Sequence, residues 1–324
     1  MPPRCSLDVA GKAARKASRK TMGPLRRLVV TKRTETRYKT ACTKFFQWLS
    51  LAERSIPDAM ADFDDILAEY IEHLWEDGEG RAESSYVAAG LQHFVESVKG
   101  NIPCTWRLAH AWRKHELPAR APPFSLQLIE ALAGWAVSAR RPDFAAALLL
   151  GFHCMLRTGE ICKVSAGAIS FNKGATKGSL NLGYTKMGSR EGMQEHVTIT
   201  CKRTACLVAA AVRHLQPGDA LFRGAEHDFR RLISKGCEAL MVSEWAYRGY
   251  SIRRGGATHY FRVENSMEGL LVRGRWSSTR AARLYLNDGL ATLASLRWSP
   301  EAHAAIDWAR AVFLRIFAHS LAAR

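Results

Sequence analysis

The sequence lacks the residue spacings that mark the common metal and disulfide sites. It has eight cysteines and eleven histidines, but no CxxC pair, no HExxH motif and no local cluster of the two types. Zinc proteins bring such residues together at short, regular spacings, so we expect no metal site. The dispersed cysteines are typical of buried thiols in a reducing compartment and do not indicate a disulfide framework.

Long apolar segments are also missing. The longest apolar run, AAALLLGF at 145–152, is much shorter than the roughly 20 residues that span a bilayer. The basic N-terminus contains no apolar stretch of the kind found in secretory signals. We therefore expect no secretory signal and no membrane partner.

Positive charge is what the sequence has in excess. With 47 Lys and Arg against 30 Asp and Glu, the formal net charge is +17 and the pI is near 9.8. Residues 1–40 carry twelve cations and two acids, residues 41–116 seven and thirteen, and residues 117–324 twenty-eight and fifteen. This balance favours a polyanionic partner, chiefly nucleic acid, with an anionic membrane surface as the weaker option.

The chain is predicted to contain two folded regions and a basic arm. Residues 1–35 are rich in Lys, Arg, Ala and Gly and are predicted to be a flexible arm. Residues 36–116 show four segments with apolar residues at helical spacing, which predicts a helical domain. The segment LPARAPPF at 117–124 has three prolines and no apolar periodicity, as is typical of a linker.

Residues 125–324 are predicted to be mainly helical with one small antiparallel β-element. Between 179 and 200 the apolar residues alternate on both sides of a turn-rich segment, which predicts a β-hairpin. The last helix, predicted at 300–321, has an apolar stripe that can pack within the chain or against a neighbour. That stripe is expected at Ala305, Trp308, Val312 and Ile316, widened by Ile306, Phe313 and Phe317.

Three polar positions stand out, and each has an ordinary and a functional interpretation. Arg157 precedes Glu160 by three residues. This spacing fits a surface ion pair, or an arginine whose guanidinium is held by the glutamate so that it can bind a phosphate through two hydrogen bonds. Lys186 ends the first hairpin strand, where a lysine is either solvated or able to deliver a proton in a groove. Trp276 is either a packing residue or a fixed indole N–H donor.

The segment RGRWSSTRAARLYLND at 273–288 places a tyrosine among four arginines. Ser278 is the predicted cap of a helix that stops at Gly289, on which Arg280, Arg283 and Asn287 share one face. Tyr285 is then either a partly buried aromatic on a helix that touches phosphates or a nucleophile that attacks one.

The order and spacing of these blocks resemble those of the tyrosine recombinases, the phage-integrase family. The matching blocks lie within 125–290 and read LLLGFHCMLRTGEICKV, GYTKMGSREGMQEHVTI, SIRRGGATHYF and GRWSSTRAARLYLNDG. The resemblance implies a mainly α fold with a small antiparallel β-hairpin or sheet. It also implies that 36–116 is a helical core-binding domain and 125–324 an α+β catalytic domain.

The resemblance also implies a role for each matched residue. Tyr285 would attack a DNA phosphate and form a 3′-phosphotyrosyl intermediate without metal or cofactor, and Lys186 would protonate the leaving oxygen. The remaining catalytic positions map to Arg157, Arg253, Trp276 and Tyr250, with Glu160 as support. Four more arginines are expected to contact DNA phosphates: Arg254, Arg275, Arg280 and Arg283.

Tyr250 departs from the family pattern, because a histidine usually stands three residues before the second arginine. A phenol titrates near ~10 and cannot accept a proton at neutral pH as imidazole does, although it can donate a hydrogen bond to phosphate. His259, six residues after Arg253, matches a histidine common in the family and is expected to be structural.

Three functions therefore stay open. They are an active recombinase or integrase, a catalytically silent DNA-binding protein of the same fold, and a type IB topoisomerase-like enzyme. Double-stranded DNA is the implied partner, with self-association as a dimer or tetramer on it. The basic arm suits a nuclear address in a eukaryote or a DNA-binding tail in a bacterium or phage.

Overall fold

A computed structural model describes residues 9–117, 120–183, 185 and 194–322, and the chain divides into two compact units, residues 1–119 and 120–324. Unit 1 is helical over the residues described. Its helices are α1 Val9–Met22, α2 Lys32–Leu51, α3 Met60–Glu76, α4 Ala82–Phe94 and α5 Pro103–His115.

The core of unit 1 is built by the apolar faces of α2 to α5. Phe45, Leu67 and Val87 are fully buried there. Asp64, on α3, is buried with them and caps α5 by accepting from the backbone N–H groups of Cys104 at 2.7 Å and Thr105 at 2.9 Å. Since the first N–H groups of a helix have no partner within it, this carboxylate fixes where α5 begins.

The predicted flexible arm differs from the structure in one respect, because residues 9–22 form helix α1. Alanine, lysine and arginine all have high helix propensity, which accounts for a helix in this segment. Its residues from Lys12 to Met22 are exposed. Five cations lie on one face at spacings of three and four: Lys12, Arg15, Lys16, Arg19 and Lys20.

Unit 2 combines ten helices and a three-stranded sheet within the part of the chain described. The strands are β1 Ile169–Phe171, β2 Gly178–Gly183 and β3 Glu195–Ile199. The helices are α6 Leu126–Ser138, α7 Pro142–His153, α8 Thr158–Ile161, α9 Lys202–Val212, α10 Glu226–Ala239, α11 Gly249–Glu264, α12 Met267–Gly274, α13 Thr279–Arg283, α14 Asp288–Leu296 and α15 Pro300–Ala322.

The predicted hairpin is confirmed in its two strands, and β1 extends it into an antiparallel sheet of order β1-β2-β3. Ile169 pairs with Leu180, which pairs with Val197, so three buried apolar side chains lie side by side on the core face. The mainly α fold with a small antiparallel sheet is therefore confirmed. Lys186 lies outside the described residues.

Helix α15 packs on α6 within the same chain, through Ile306 and Phe313 of the predicted stripe together with two small residues outside it. Ala302, Ile306, Ala309 and Phe313 are buried, whereas Trp308 is 58% exposed. The predicted stripe included the large Trp308, but a close approach of two helices favours small residues at their contact. Gly134 of α6 provides the matching gap, because a Cβ there would lie 1.9 Å from the carbonyl oxygen of Ala309.

The single helix predicted for 278–287 was wrong. Ser278 does cap α13, but that helix ends at Arg283, and Asn287 caps a second helix by accepting from the N–H of Leu290. Asn287 therefore does not share a helix face with Arg280 and Arg283. Gly289 lies inside α14 and is not a stop.

None of the helices described is both long and apolar enough to cross a membrane.

We expect Gly134→Ala to lower the free energy of unfolding by at least 1–3 kcal/mol, the range of ordinary overpacking, because the new methyl group meets rigid backbone. The matched control is Gly289→Ala, since nothing lies within 4 Å of its Cβ position. That change should be neutral or stabilise by up to about 1 kcal/mol. Urea titration of both full-length variants measures the difference, and equal midpoints would contradict the packing described.

Candidate active site

Arg157 and Glu160 form the first part of the site, at the turn between α7 and α8. Arg157 is the N-cap residue of α8, and the Glu160 carboxylate accepts from its backbone N–H at 2.8 Å and from its guanidinium. The short helix thus holds both charged side chains in one geometry. The Arg157 side chain remains 32% exposed and is accessible to a ligand.

Arg253, on α11, is the most deeply buried charge of the site, with 1% exposure. Its Nη1 donates to the carbonyl of Met155 and its Nη2 to that of Gly274, both at 2.6 Å. Burial, followed by the charges of Arg275 and Arg157, lowers its pKa to about 10, so the group stays protonated at neutral pH. Its Nε–H is buried without an acceptor among the described residues.

Trp276 lies over this guanidinium, with the ring centroid 4.7 Å from the Arg253 Cζ. Gly274 makes that position possible, since a Cβ there would lie 1.7 Å from the indole. The indole N–H is buried and makes no well-formed hydrogen bond within the described structure. It is still close enough to Tyr285 to help lower the pKa of that phenol.

Tyr285 lies just beyond the end of α13, in the group formed by these side chains. Its ring centroid is 5.3 Å from the Arg253 Cζ, 4.7 Å from the Trp276 ring and 5.2 Å from the Tyr250 ring. The backbone is held in place by Arg120, which donates to the Leu284 carbonyl at 3.1 Å, and by Thr258, which donates to the Tyr285 carbonyl at 3.5 Å.

The two phenols of the site are driven apart in pKa. Burial raises the pKa of Tyr250, and so does its hydroxyl contact with Tyr285, so Tyr250 stays neutral. Burial alone would also raise the pKa of Tyr285, but the hydrogen bond from Tyr250 and the charges of Arg253 and Arg157 bring it below the ordinary value. Tyr285 is thus the phenol prepared to lose its proton, and Tyr250 the one prepared to donate.

Arg275 follows α12 and contacts two carboxylates. Its Nη2 lies 2.8 Å from Glu160 Oε2 and its Nη1 3.3 Å from Glu195 Oε2, with the side chain 8% exposed. Although burial would raise the pKa of Glu160, the charge of Arg275, together with the contacts from Arg157, keeps it below the ordinary value. This placement differs from the expected phosphate contact at the protein surface.

The other three arginines expected to bind phosphate differ in whether their side chains are buried or exposed. Arg254 is 1% exposed and donates to the carbonyl of Ala121 at 2.8 Å, so it serves the interior of unit 2 and not its surface. Arg280 and Arg283 are exposed on α13, as surface contacts require. His259 lies against the Phe152 ring with 5.6 Å between centroids, and burial lowers its pKa, which is consistent with a structural role.

No group of three or more His, Cys, Asp or Glu side chains within the described ranges is arranged to hold a metal ion. The side chains of the described site offer acid–base and electrostatic chemistry. It consists of a phenol with a lowered pKa, a neutral phenol donor, and guanidinium and indole N–H groups directed around one small region.

The sequence matches no protein-family model and no curated protein. Solved structures do match. A lambda integrase dimer bound to a COC′ core site aligns with a TM-score of 0.55 at 15% identity, over 80% of this chain and 73% of that one. The XerH site-specific recombinase bound to difH substrate, in a pre-cleavage complex, aligns with 0.53 at 12% identity, over 82% and 79%. This chain has the tyrosine recombinase fold.

We expect Tyr250→Phe to raise the pKa of Tyr285, because the variant removes the hydroxyl that favours the phenolate and keeps the ring. The Cζ chemical shift of ¹³C-labelled tyrosine, followed against pH, measures the pKa, and Tyr285→Phe assigns the signal. Tyr38→Phe, in unit 1, is the control and should leave the titration unchanged. An unaltered Tyr285 titration in Tyr250→Phe would show that the two phenols are not coupled.

Proposed function

We propose that this protein breaks and rejoins DNA strands through a 3′-phosphotyrosyl intermediate on Tyr285, as a site-specific recombinase or integrase does. One observation carries the proposal: beside Tyr285 the buried Arg253 Nε–H has no acceptor among the described residues, and the buried Trp276 indole N–H makes no well-formed hydrogen bond there. A buried donor without a partner costs about 1–3 kcal/mol. A non-bridging phosphate oxygen would supply the acceptor at the place where the phenol attacks.

In the cleavage step Tyr285 loses its phenol proton to solvent water, its oxygen forms a bond to phosphorus, and the bond from phosphorus to the 5′-oxygen breaks. Arg157, Arg253 and Trp276 would hold the non-bridging oxygens as negative charge builds on them, and Tyr250 would add a neutral donor. The leaving 5′-oxygen needs a proton, which we assign to Lys186. Attack by another 5′-hydroxyl then reverses the step and releases the tyrosine, so rejoining needs no nucleotide cofactor.

The charge of the chain supports DNA as the substrate. The net charge of +17 is concentrated outside residues 41–116, and α1 adds an exposed row of five cations. The lambda integrase neighbour is a dimer on its core site. Self-association of this chain on DNA belongs to the same proposal.

A nicked suicide duplex tests the reaction, because loss of the short strand traps the covalent intermediate. We expect the wild-type protein to form a protein–DNA adduct from a pool of nicked duplexes with randomised sequence, and Tyr285→Phe to form none. Tyr38→Phe should form the adduct as the wild type does.

Each other outcome selects a different function. DNA binding without any adduct from the pool would overturn the enzymatic proposal in favour of a silent DNA-binding protein. Relaxation of supercoiled plasmid without a preferred site would replace recombination with topoisomerase-type activity on the same tyrosine.

Replacing the five α1 cations by glutamine should weaken DNA binding without unfolding the protein, because these side chains are exposed. Each phosphate contact contributes about 0.9 to the slope of log K against log salt, so the slope should fall by about 4 to 5 if all five are used. Exchanging lysine for arginine and arginine for lysine at the same positions is the charge-preserving control. An unchanged slope in the glutamine variant would mean that α1 does not contact DNA.

A further inference from the structure

We propose that Arg275 is a positioning residue of this site, whose guanidinium neutralises Glu160 and Glu195 and so leaves Arg157 and Arg253 with their positive charge for Tyr285 and the phosphate. This inference rests on the proposed function. It gives Arg275 a role different from the phosphate contact that the sequence suggested.

The bridge connects three separate parts of unit 2. Glu160 belongs to α8, Glu195 is the first residue of β3, and Arg275 lies in the turn after α12. Both Nη groups of Arg275 are within ion-pair distance of a carboxylate, at 2.8 Å and 3.3 Å. Both Nη groups contact carboxylates and the side chain is 8% exposed, so Arg275 is directed to Glu160 and Glu195 and not to the surface, although its Nε–H has no acceptor among the described residues.

The charges of the cluster explain why the bridge matters. Arg157, Arg253 and Arg275 face Glu160 and Glu195, so the five groups carry one positive charge in excess. Without Arg275 the remaining two arginines and two carboxylates would balance. Glu160, which is 3.9 Å from Arg253 Nη1 at present, would then have Arg253 and Arg157 as its only close counter-charges.

The backbone conformation at Arg275 determines which substitution is informative. Arg275 has φ of +56°, in the left-handed region. A residue with a Cβ pays about 1 kcal/mol or more in that region, whereas glycine adopts it freely. Glycine at this position would therefore remove the side-chain contacts of Arg275 without adding backbone strain.

Arg275→Gly is therefore the informative variant, since it removes the side chain and suits the backbone. We expect the variant to be less stable than the wild type, because two largely buried carboxylates lose a counter-charge, so its rates are measured below its melting temperature. Its affinity for nicked DNA should stay within about twofold. The rate of covalent adduct formation should fall on the order of 10- to 100-fold, less than the ~10²–10³ lost with a direct transition-state donor. Arg275→Asn is the second variant, because asparagine also tolerates this conformation.

A charge-restoring double variant separates positioning from general structural support. Arg275→Gly combined with Glu195→Gln removes one cation and one carboxylate together, so the net excess of one positive charge returns. We expect the double variant to recover at least tenfold of the lost adduct rate, whereas a purely structural role for Arg275 predicts a further loss.

A readout without turnover makes the two proposals distinguishable. The Tyr285 pKa, measured from its ¹³Cζ shift, should rise in Arg275→Gly and fall back in the double variant, because the local positive charge is lost and then restored. Arg157, Arg253 and Tyr250 are the charged or titratable groups that lower this pKa, and Glu160 and Glu195 act through them.

Three outcomes distinguish the positioning role of Arg275 from the proposed strand cleavage. Full adduct formation by Arg275→Gly with an unchanged Tyr285 pKa overturns the positioning role. A matching fall in DNA affinity and in the salt slope by about one phosphate would identify Arg275 as a DNA contact and overturn it as well. If the wild type forms no adduct while the Tyr285 pKa responds as stated, the positioning role stands and the strand-cleaving function fails.

Discussion

The burial of one guanidinium group is the constraint on which the site depends. A cation with 1% exposure needs acceptors within the protein, and the two Nη groups of Arg253 donate to the carbonyls of Met155 and Gly274. Met155 has φ of +49°, so its turn directs the carbonyl inward before Arg157 begins α8. The two acceptors flank the turns that carry Arg157 and Trp276. Fixing Arg253 therefore also fixes the position of the side chains around it.

The burial of this site also separates the pKa values of its two phenols. A low-dielectric site disfavours any phenolate, and only a phenol with a cation and a donor beside it overcomes that penalty. Tyr285 has both, in Arg253 and Tyr250, whereas Tyr250 lies further out and is itself the donor. Tyr250, at the position where the family has histidine, thus donates a hydrogen bond to its neighbour Tyr285. In the proposed reaction Tyr250 would act on the nucleophile as well as on the phosphate.

The helices, strands and motifs that depend on local sequence pattern could be predicted from the sequence. Apolar periodicity located most helices and the alternation around 179–200 located two strands, while the order of motifs brought Arg157, Arg253, Trp276 and Tyr285 into one hypothesis. What it missed depends on tertiary context. Whether Arg254 and Arg275 face solvent is not encoded in their spacing, since a buried arginine looks like a surface arginine until its acceptors are known.

Other differences have similar causes. The break between α13 and α14 follows from competition between two good caps, Ser278 and Asn287, and a helical pattern alone cannot show which segment each one starts. The stripe on α15 was set by the size of the gap at Gly134 and not by the size of the apolar residue. Gly274, two residues before Trp276, was a usable signal, because a glycine permits close approach of the backbone to a large side chain.

Charge balance leads to a last consequence for the mechanism. The described cluster carries one excess positive charge, and a phosphodiester brings one negative charge, so the complex with DNA is close to neutral before reaction. Cleavage then needs a phenolate to attack and a leaving oxygen to be protonated, and the first adds negative charge to a site with little positive charge left. The phenol proton must leave as that charge develops, and a further cation must meet the leaving oxygen. In the proposed reaction Lys186 would supply that proton, and the small excess of positive charge on the described residues favours a cationic donor. A neutral donor such as Tyr250 can stabilise the phosphate oxygens but cannot supply the missing charge.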